Sequence, residues 1–171
     1  MEQLPEDNQG APVKVLVTGM SGTGKSTVLG VLSQHGHRRV LDTDSNAWSR
    51  WVTLPDGSPD WVWREDKIAQ VLQDHHSGSL FVAGCKSNQG QFYQFFDHIV
   101  LLTAPQDVIL ARIAARTTNP YGKSSAERRL IIRHVSAVEP LLRATATCII
   151  DASAPLDVVV RQLEDLVSLP S

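Results

Sequence analysis

The sequence predicts an α/β protein in which helices cover both faces of a parallel sheet. Along most of the 171 residues, short apolar runs alternate with stretches of helical periodicity. Turn and capping residues separate them, and no repeat, low-complexity stretch or linker divides the chain. Strands that alternate with helices favour parallel pairing in a three-layer α/β/α arrangement. The length suits a single domain, which we place at residues 12–169 after a disordered polar tail at 1–11.

Three strands are predicted in the first half of the chain. They are expected near residues 13–18, 39–41 and 80–83. The first helix is predicted at residues 25–34, where apolar residues recur with helical spacing. Gly36 follows it and can end it, because glycine accepts the left-handed conformation common at helix C-termini.

A second helix is predicted before the third strand. Residues 54–58 read LPDGS, which is typical of a turn-rich loop. Ser58 or Asp60 is then expected to cap a helix that Pro59 can enter and that runs to about His75.

A helix and a loop are predicted after the fourth strand. The fourth and fifth strands are expected near residues 99–102 and 147–150. Thr103 and Gln106 have the spacing of a helix cap, and the helix that they open runs to about Arg116. A turn is expected at residues 119–122. This turn belongs to a segment, 117–125, that suits a short mobile lid over a binding site.

The last two helices begin at recognisable caps. Ser124 and Glu127 form a capping box, and Pro140 is expected to bend the helix that follows. Ser153 is expected to cap the final helix. The first of these helices is predicted to end near Arg143, and the second to span Pro155 to about Val167.

Composition excludes several functional classes. The formal net charge is −2, so no strong basic field favours nucleic acid. No apolar run approaches the ~20 residues of a membrane span, and the N-terminus lacks the form of a signal peptide. Cys85 and Cys148 have no metal or redox spacing and are expected in the core. We therefore expect a cytoplasmic protein with no membrane or nucleic-acid partner.

The stretch from Gly19 to Ser26 reads GMSGTGKS and fits G-x-x-x-x-G-K-[ST] at every fixed position. A predicted strand precedes it and a predicted helix follows, which is the context of a Walker A motif rather than of a glycine-rich turn that binds nothing. In such a loop, backbone N–H groups point at phosphates, Lys25 reaches the β- and γ-phosphates, and the Ser26 hydroxyl ligates Mg²⁺. ATP and Mg²⁺ are the expected cofactors. The predicted nucleotide-binding residues here are Gly19, Ser21, Gly22, Thr23, Gly24, Lys25, Ser26 and Thr27.

Asp42 and Asp44 follow the second strand, at the sheet edge where ligands bind in parallel α/β proteins. Because they are two residues apart, they face the same way on an extended segment. Phosphoryl transfer needs a metal held in place and a carboxylate that orients or deprotonates the acceptor. We assign Asp42 to Mg²⁺ and Asp44 to catalysis at the acceptor. The alternative is an ordinary turn or N-cap carboxylate.

Arg112 and Arg116 are four residues apart on a predicted helix and share one face. Arginines that face a nucleotide stabilise charge on the transferring phosphoryl group. Arg116 is therefore a candidate catalytic residue, with Lys25 and Asp44, and Arg112 a candidate nucleotide-binding residue. The alternative is a solvated basic helix face.

Further candidates for binding the acceptor come from two places. Gly84 and Lys86 follow the third strand, at the same predicted edge of the sheet. All four tryptophans lie between residues 48 and 63, and Trp48 is favoured as a pocket wall because it sits four residues past Asp44. The alternatives are core packing for the tryptophan and a surface position for the lysine.

These residues resemble the P-loop small-molecule kinases, which include nucleoside monophosphate kinases, shikimate kinase and gluconate kinase. The resemblance covers nearly the whole chain and implies a P-loop NTPase fold with the adenylate kinase-like strand order 2-3-1-4-5. Asp42 and Asp44 are similar to the paired aspartates of shikimate kinase, which serve Mg²⁺ and the acceptor hydroxyl. This similarity implies the same two roles here.

Other stretches resemble different members of that family. VILARIAARTTNP is similar to the helix-to-lid passage of adenylate kinase, which implies that Arg112 lies by the adenine and Arg116 by the phosphates. Residues 152–155 look like the adenine-side loop, so Ala154 and Pro155 are expected at the base. The stretch after the third strand lacks the Asp-Gly-Phe-Pro-Arg element of adenylate kinase and the triple glycine of shikimate kinase. Its Lys86 is the nearest match to gluconate kinase.

We therefore expect an ATP- and Mg²⁺-dependent kinase that acts on a small-molecule hydroxyl or phosphate, as a monomer or a homodimer. One alternative is a nucleotide-binding ATPase or switch that acts on a protein partner. A GTPase switch is disfavoured because the sequence has no N-K-x-D-like guanine motif. A catalytically silent ATP sensor is the third hypothesis.

Overall fold

The computed structural model describes residues 11–37, 39–116 and 122–168. The strands are β1 Val13–Thr18, β2 Arg39–Asp42, β3 Ser49–Thr53, β4 Pro59–Trp63, β5 Ser79–Ala83, β6 His98–Thr103 and β7 Cys148–Asp151. The α-helices are α1 Lys25–Gln34, α2 Glu65–Asp74, α3 Gln106–Ala115, α4 Ser125–Thr145 and α5 Leu156–Ser168. A 3₁₀ helix spans Gln89–Phe95.

Five strands form one parallel sheet in the order β2-β5-β1-β6-β7. Numbered along the chain within this sheet, the order is 2-3-1-4-5, so the predicted α/β/α P-loop fold and its strand order are confirmed. Val17 and Asp42 both pair with Ala83. The residues that follow β1, β2 and β5 therefore meet at one edge of the sheet.

The central strand β1 is buried on both faces. Val15 and Val17 pack in one cluster with apolar side chains of α1 and α5. Leu16 packs in a second cluster with α2 and the 3₁₀ helix. All three side chains are fully buried, and burial of each stabilises the fold by roughly 1.5–3 kcal/mol. Side chains alternate along a strand, so this apolar run holds a helical layer on each face of the sheet.

The helix predicted from Pro59 to His75 was wrong in its first part. Residues 59–63 form β4, which pairs antiparallel with β3, and α2 begins only at Glu65. The predicted turn at 54–58 closes this hairpin: the Leu54 N–H donates to the Ser58 carbonyl at 2.8 Å. The aromatic and β-branched residues of β4 favour a strand. Pro59 is tolerated because it is the first residue of that strand.

Two predicted caps were wrong. Thr103 is the last residue of β6, and Pro105 takes the N-cap position of α3 without a side-chain hydrogen bond. Ser153 lies before α5, which begins at Leu156, and its hydroxyl donates to Asp151 Oδ1 instead. Thr103 is thus taken up by the strand, and Ser153 lies in a turn between β7 and α5.

Other helix ends match the sequence. The Glu127 N–H donates to the Ser124 side chain at 3.1 Å, which confirms the cap of α4. Gly36 has φ of 92° just beyond α1, as a C-terminal glycine requires. Pro140 lies inside α4, and the bend expected there stays a prediction. Residues 117–121, which contain three of the four residues of the predicted turn and most of the predicted lid, lie outside the described residues.

Within the described ranges, no helix is long and apolar enough to cross a membrane.

Candidate active site

A cleft of about 800 Å³ opens at the edge of the sheet where the parallel strands end. Of the residues predicted from the sequence, it brings together Ser21, Gly22, Thr23, Gly24, Lys25, Ser26, Thr27, Asp42, Asp44, Gly84, Lys86, Arg112, Arg116 and Ala154. Gly19 lies just behind it at the end of β1. Trp48 and Pro155 are outside its lining.

The loop between β1 and α1 has the backbone that phosphate binding requires. Gly22 and Gly24 have φ of 86° and 92°, values that other residues adopt only with strain. A Cβ on Gly19 would lie 2.6 Å from the Leu102 carbonyl oxygen, so no side chain fits there. The buried Thr23 hydroxyl donates to the Met20 carbonyl at 2.8 Å and closes the loop on itself. The loop is thus shaped before any ligand arrives.

Lys25 begins α1 and turns its ammonium back into the loop. Its Nζ donates to the carbonyls of Gly19 at 2.7 Å and Met20 at 3.1 Å. Burial lowers the pKa of Lys25, and the charges of Asp44 and Asp42 only partly offset that effect. A partly buried ammonium with carbonyl partners is ready to accept an anion, because phosphate oxygens replace the solvation that the ammonium has lost.

Ser26 and Asp42 form a close pair of oxygen ligands. The Ser26 hydroxyl donates to Asp42 Oδ2 at 2.6 Å, and Asp42 Oδ1 accepts from the Asp44 N–H at 3.1 Å. Among the described residues, no group of three or more His, Cys, Asp or Glu could enclose a metal. Mg²⁺ does not require such a cage, since it binds one or two protein oxygens together with water and substrate phosphates. The donors present therefore fit Mg²⁺.

Asp44 is held by two donors from outside its own loop. Its Oδ1 accepts from Lys86 Nζ at 2.9 Å and from Trp61 Nε1 at 3.1 Å. The Lys86 ammonium also lies 5.8 Å from the centre of the Trp61 ring. Partial burial raises the pKa of Asp44. The bonds from Lys86 and Trp61 and the charge of Lys25 lower it by more, so the net pKa is below its usual range. Asp44 is consequently an oriented, ionised carboxylate.

The segment after β5 holds Lys86 in place through its neighbours. The Lys86 N–H donates to the side chain of Gln89, which is itself buried. Ser87 donates to Asp60 at 2.6 Å, and the Asn88 side chain bonds the backbone of Trp63 in both directions. These contacts tie the segment to β4. As a result, the Lys86 side chain is only 10% exposed although it lines the cleft.

Gly84 serves close packing at the base of this segment. A Cβ on Gly84 would collide with the Thr43 hydroxyl and lie 3.1 Å from Trp63 Nε1. Trp63 Nε1 donates to that same hydroxyl at 2.8 Å. Gly84 also lines the cleft, so its absent side chain lets the segment approach β2.

The two predicted arginines lie on the side of the cleft formed by the loop between β1 and α1. Arg112 on α3 donates to the Ala152 carbonyl at 2.6 Å and the Thr23 carbonyl at 3.4 Å, and so joins the phosphate loop to the segment after β7. Arg116 follows α3 and donates to the Ser21 hydroxyl at 3.3 Å. Ala154 lies in the same wall.

Sequence reasoning chose Trp48 and missed Trp61. Trp48 packs against the core cluster that includes Trp63 and α2, whereas Trp61 reaches Asp44 from β4. Trp61, Val62 and Trp63 are aromatic and β-branched residues that favour a strand, and together with the turn at 54–58 they are the signal that would have located the hairpin.

A family model described as an AAA domain, AAA_18, matches residues 15–133. The chain belongs to this family. Shikimate kinases of Psychrobacter cryohalolentis and Psychrobacter arcticus are each 24% identical to this chain over 155 residues. The aligned region covers 85% of this chain and 79% of each relative. With these relatives, the predicted resemblance to P-loop small-molecule kinases is confirmed.

Solved structures show the same fold. A shikimate kinase from Acinetobacter baumannii in complex with shikimate superposes on this chain with a TM-score of 0.63 at 18% identity. The match covers 91% of this chain and 92% of that one. A gluconokinase from Sinorhizobium meliloti gives a TM-score of 0.56 at 19% identity, covering 91% and 94%. The names of these proteins support a phosphotransferase.

Proposed function

We propose that the protein is an ATP- and Mg²⁺-dependent kinase that transfers the γ-phosphoryl group to a hydroxyl of a small-molecule acceptor. The observation that carries this proposal is one cleft in which Asp44 is oriented by Lys86 and Trp61 opposite a phosphate loop. The kinase names of the relatives support it. A carboxylate held in this way can orient an acceptor hydroxyl towards the γ-phosphoryl group.

At the nucleotide end, backbone N–H groups and Lys25 bind the phosphates. The first turn of α1 contributes the positive end of its dipole. The carbonyls of Gly19 and Met20 hold the Lys25 ammonium inside the loop. When the nucleotide binds, Lys25 exchanges these bonds for bonds to phosphate oxygens. Arg116 lies near enough to Ser21 to stabilise charge on the transferring group.

Ser26 and Asp42 would hold Mg²⁺, Ser26 through its hydroxyl and Asp42 through its carboxylate. When bound, Mg²⁺ neutralises charge on the phosphate oxygens. Asp42 also accepts the backbone N–H of Asp44. This hydrogen bond fixes the spacing between the metal ligand and the acceptor carboxylate.

At the acceptor end, Asp44 orients the reacting hydroxyl. Within the described part of the chain, both donors to Asp44 engage Oδ1, so Oδ2 is the oxygen that we assign to the acceptor. The lowered pKa of Asp44 makes it a weak base, which suits a transition state in which the proton moves late. The acceptor oxygen bonds to the γ-phosphorus as the bond to the β–γ bridging oxygen breaks. ADP leaves with that oxygen, and the proton passes by way of Asp44 to solvent.

Transfer of label from γ-labelled ATP to pooled small metabolites tests this proposal. The expected result is a labelled small molecule with the wild-type protein and about 100-fold less with Asp44→Asn. Asp165→Asn, an exposed carboxylate on α5, is the matched control and is expected to behave as wild type.

Two results would overturn the proposal. One is label that appears only as inorganic phosphate, and only when a protein partner is added, because this identifies a partner-dependent ATPase. The other is wild-type transfer by Asp44→Asn. Tight ATP binding with no turnover under any condition would instead identify a sensor.

A further inference from the structure

The hairpin formed by β3 and β4 presents an indole to the acceptor end of the cleft. Trp51 and Trp61 are cross-strand partners with ring centroids 5.2 Å apart. Trp51 is 67% exposed and supports Trp61 from the outside, while Trp61 bonds Asp44 through its N–H. Pairs of this kind stabilise a hairpin, but only Trp61 also touches a carboxylate that lines the cleft.

This end of the cleft contains three side chains joined by hydrogen bonds: Asp44, Trp61 and Lys86. Ser87 and Asn88 tie the segment after β5 to β4, as described above. The three side chains offer a carboxylate, an ammonium and an aromatic ring. A hydroxyl can donate to the carboxylate and accept from the ammonium, and the C–H face of a polyhydroxy compound packs well on an indole.

Cations are distributed unevenly along the cleft. Among the described residues, its lining contains two lysines and two arginines, Lys25, Lys86, Arg112 and Arg116, together with one histidine, His134. Lys25, Arg112 and Arg116 bond atoms of the phosphate loop. Of these four, Lys86 is the one that bonds a residue of the acceptor end, where it is paired with Asp44 at 2.9 Å.

Two further arginines near the hairpin do not change this balance. Arg64 donates through Nε to the Asn46 carbonyl and is outside the cleft lining. Arg50 pairs in register with Val62, so it projects from the hairpin face opposite to that of Trp51. Residues 117–121 read TTNPY and carry no charge, and Arg38 is the only basic residue outside the described ranges.

Such a site disfavours an acidic acceptor. Recognition of a carboxylate or phosphate ordinarily uses a bidentate arginine or several donors. Here an anion would lie beside Asp42 and Asp44 and would share Lys86 with Asp44, whose carboxylate already offsets the charge of that ammonium. Like charges in a partly buried site cost free energy.

We propose that the acceptor is an uncharged polyhydroxy compound, such as an alditol or a cyclitol, bound by Asp44, Lys86 and Trp61. This proposal rests on the kinase function proposed above. An uncharged acceptor of this kind differs from an acidic or nucleotide acceptor because the protein recognises its hydroxyl groups and a C–H face.

A matched panel of acceptors tests it by ATP consumption. Sorbitol and gluconate share a six-carbon chain and differ at one end, as a hydroxymethyl against a carboxylate. The remaining probes are xylitol and xylonate, myo-inositol, shikimate and AMP. We expect at least one alditol or myo-inositol to be phosphorylated, with kcat/KM about tenfold or more above any acidic probe, a ratio that corresponds to about 1.4 kcal/mol.

A pair of tryptophan variants sharpens the test. Trp61→Phe keeps an aromatic ring but loses the N–H that orients Asp44. We expect kcat/KM for the best acceptor to fall about tenfold while the KM for ATP changes less than about twofold. Trp51→Phe, its neighbour across the hairpin, is expected to change kcat/KM less than about twofold. Thermal melts of both variants control for loss of the hairpin.

Phosphorylation of gluconate, shikimate or AMP in preference to the uncharged probes would overturn the inference and leave the kinase function standing. Failure of every uncharged probe would also overturn it. If Trp61→Phe and Trp51→Phe changed kcat/KM equally, Trp61 would not be part of the acceptor site. Transfer to no small molecule in the metabolite pools would remove the kinase function itself.

Discussion

The phosphate wall of the cleft is made largely of backbone from one continuous segment, residues 19–27, whereas the acceptor wall is made of side chains from three. Asp44 follows β2, Trp61 lies on β4 and Lys86 follows β5. In the first wall, glycine geometry and one lysine suffice. In the second, Asp44, Trp61 and Lys86 hold one another in position through hydrogen bonds. In the proposed mechanism, phosphate recognition is therefore local in this chain, and acceptor recognition is not.

The two walls should respond differently to substitution. A change in the phosphate wall removes binding to a group that every P-loop enzyme shares. A change in the acceptor wall should alter transfer and selectivity while nucleotide binding survives. The following predictions test that difference, from the largest expected effect to the smallest.

Lys25→Ala should lower kcat about 1,000-fold, because the lost cation faces charge on the transferring phosphoryl group. Turnover with the best acceptor from the panel is the measurement. Lys67→Ala, an exposed lysine on α2, is the matched control. Far-UV circular dichroism should show that both variants fold. Near wild-type turnover by Lys25→Ala would remove this residue from the mechanism.

Asp42→Asn and Asp44→Asn should separate metal binding from acceptor orientation. We expect Asp42→Asn to raise the Mg²⁺ concentration for half-maximal activity by about tenfold or more, since it loses a metal ligand. Asp44→Asn should lower turnover with little change in that concentration. Titration of activity against Mg²⁺ at saturating ATP is the measurement. The assignment is reversed if the Mg²⁺ requirement moves with Asp44 and not with Asp42.

Gly84→Ala should destabilise the fold by about 1–3 kcal/mol, because its Cβ collides with the Thr43 hydroxyl beneath the acceptor wall. Gly30→Ala is the matched control, since a Cβ on this helical glycine would meet no neighbouring atom within 4 Å. It should raise the free energy of unfolding by about 0.5–1 kcal/mol. Urea denaturation measures both. A neutral Gly84→Ala would mean that the acceptor wall tolerates displacement.

The pH dependence of kcat/KM should report the pair of Asp44 and Lys86. Because the folded pKa of Asp44 is lowered, its carboxylate stays ionised as pH falls below the usual aspartate range. Any stability that the pair contributes is present above the unfolded pKa and is lost as pH falls through the folded one. Lys86→Met should therefore move the acidic limb of kcat/KM to higher pH. An unchanged limb would show that Lys86 does not tune Asp44.

Much of the fold and the phosphate wall could be predicted because their signals are contiguous. The octet from Gly19 to Ser26 encodes both a backbone shape and its ligand chemistry. Asp42 and Lys86 were expected at the site because parallel strands end at one edge. These predictions needed the topology and no side-chain detail.

The hairpin could not be predicted by the same means. Ser58 and Pro59 look like a helix start, and the strand pattern that competes with them spans only five residues. Trp48 was favoured by its short distance along the chain from Asp44. Trp61 is 17 residues away and reaches Asp44 only because the hairpin folds back. Contacts that depend on such pairing leave little signal in a local pattern.

A crystal structure with Mg²⁺ and a non-hydrolysable ATP analogue is the most direct test of the central claim. We predict that the terminal phosphate contacts Lys25 and faces the Asp44 carboxylate across an open acceptor space, with Trp61 still bonded to Oδ1. A terminal phosphate directed away from Asp44, or an Asp44 side chain turned into the core, would contradict the account.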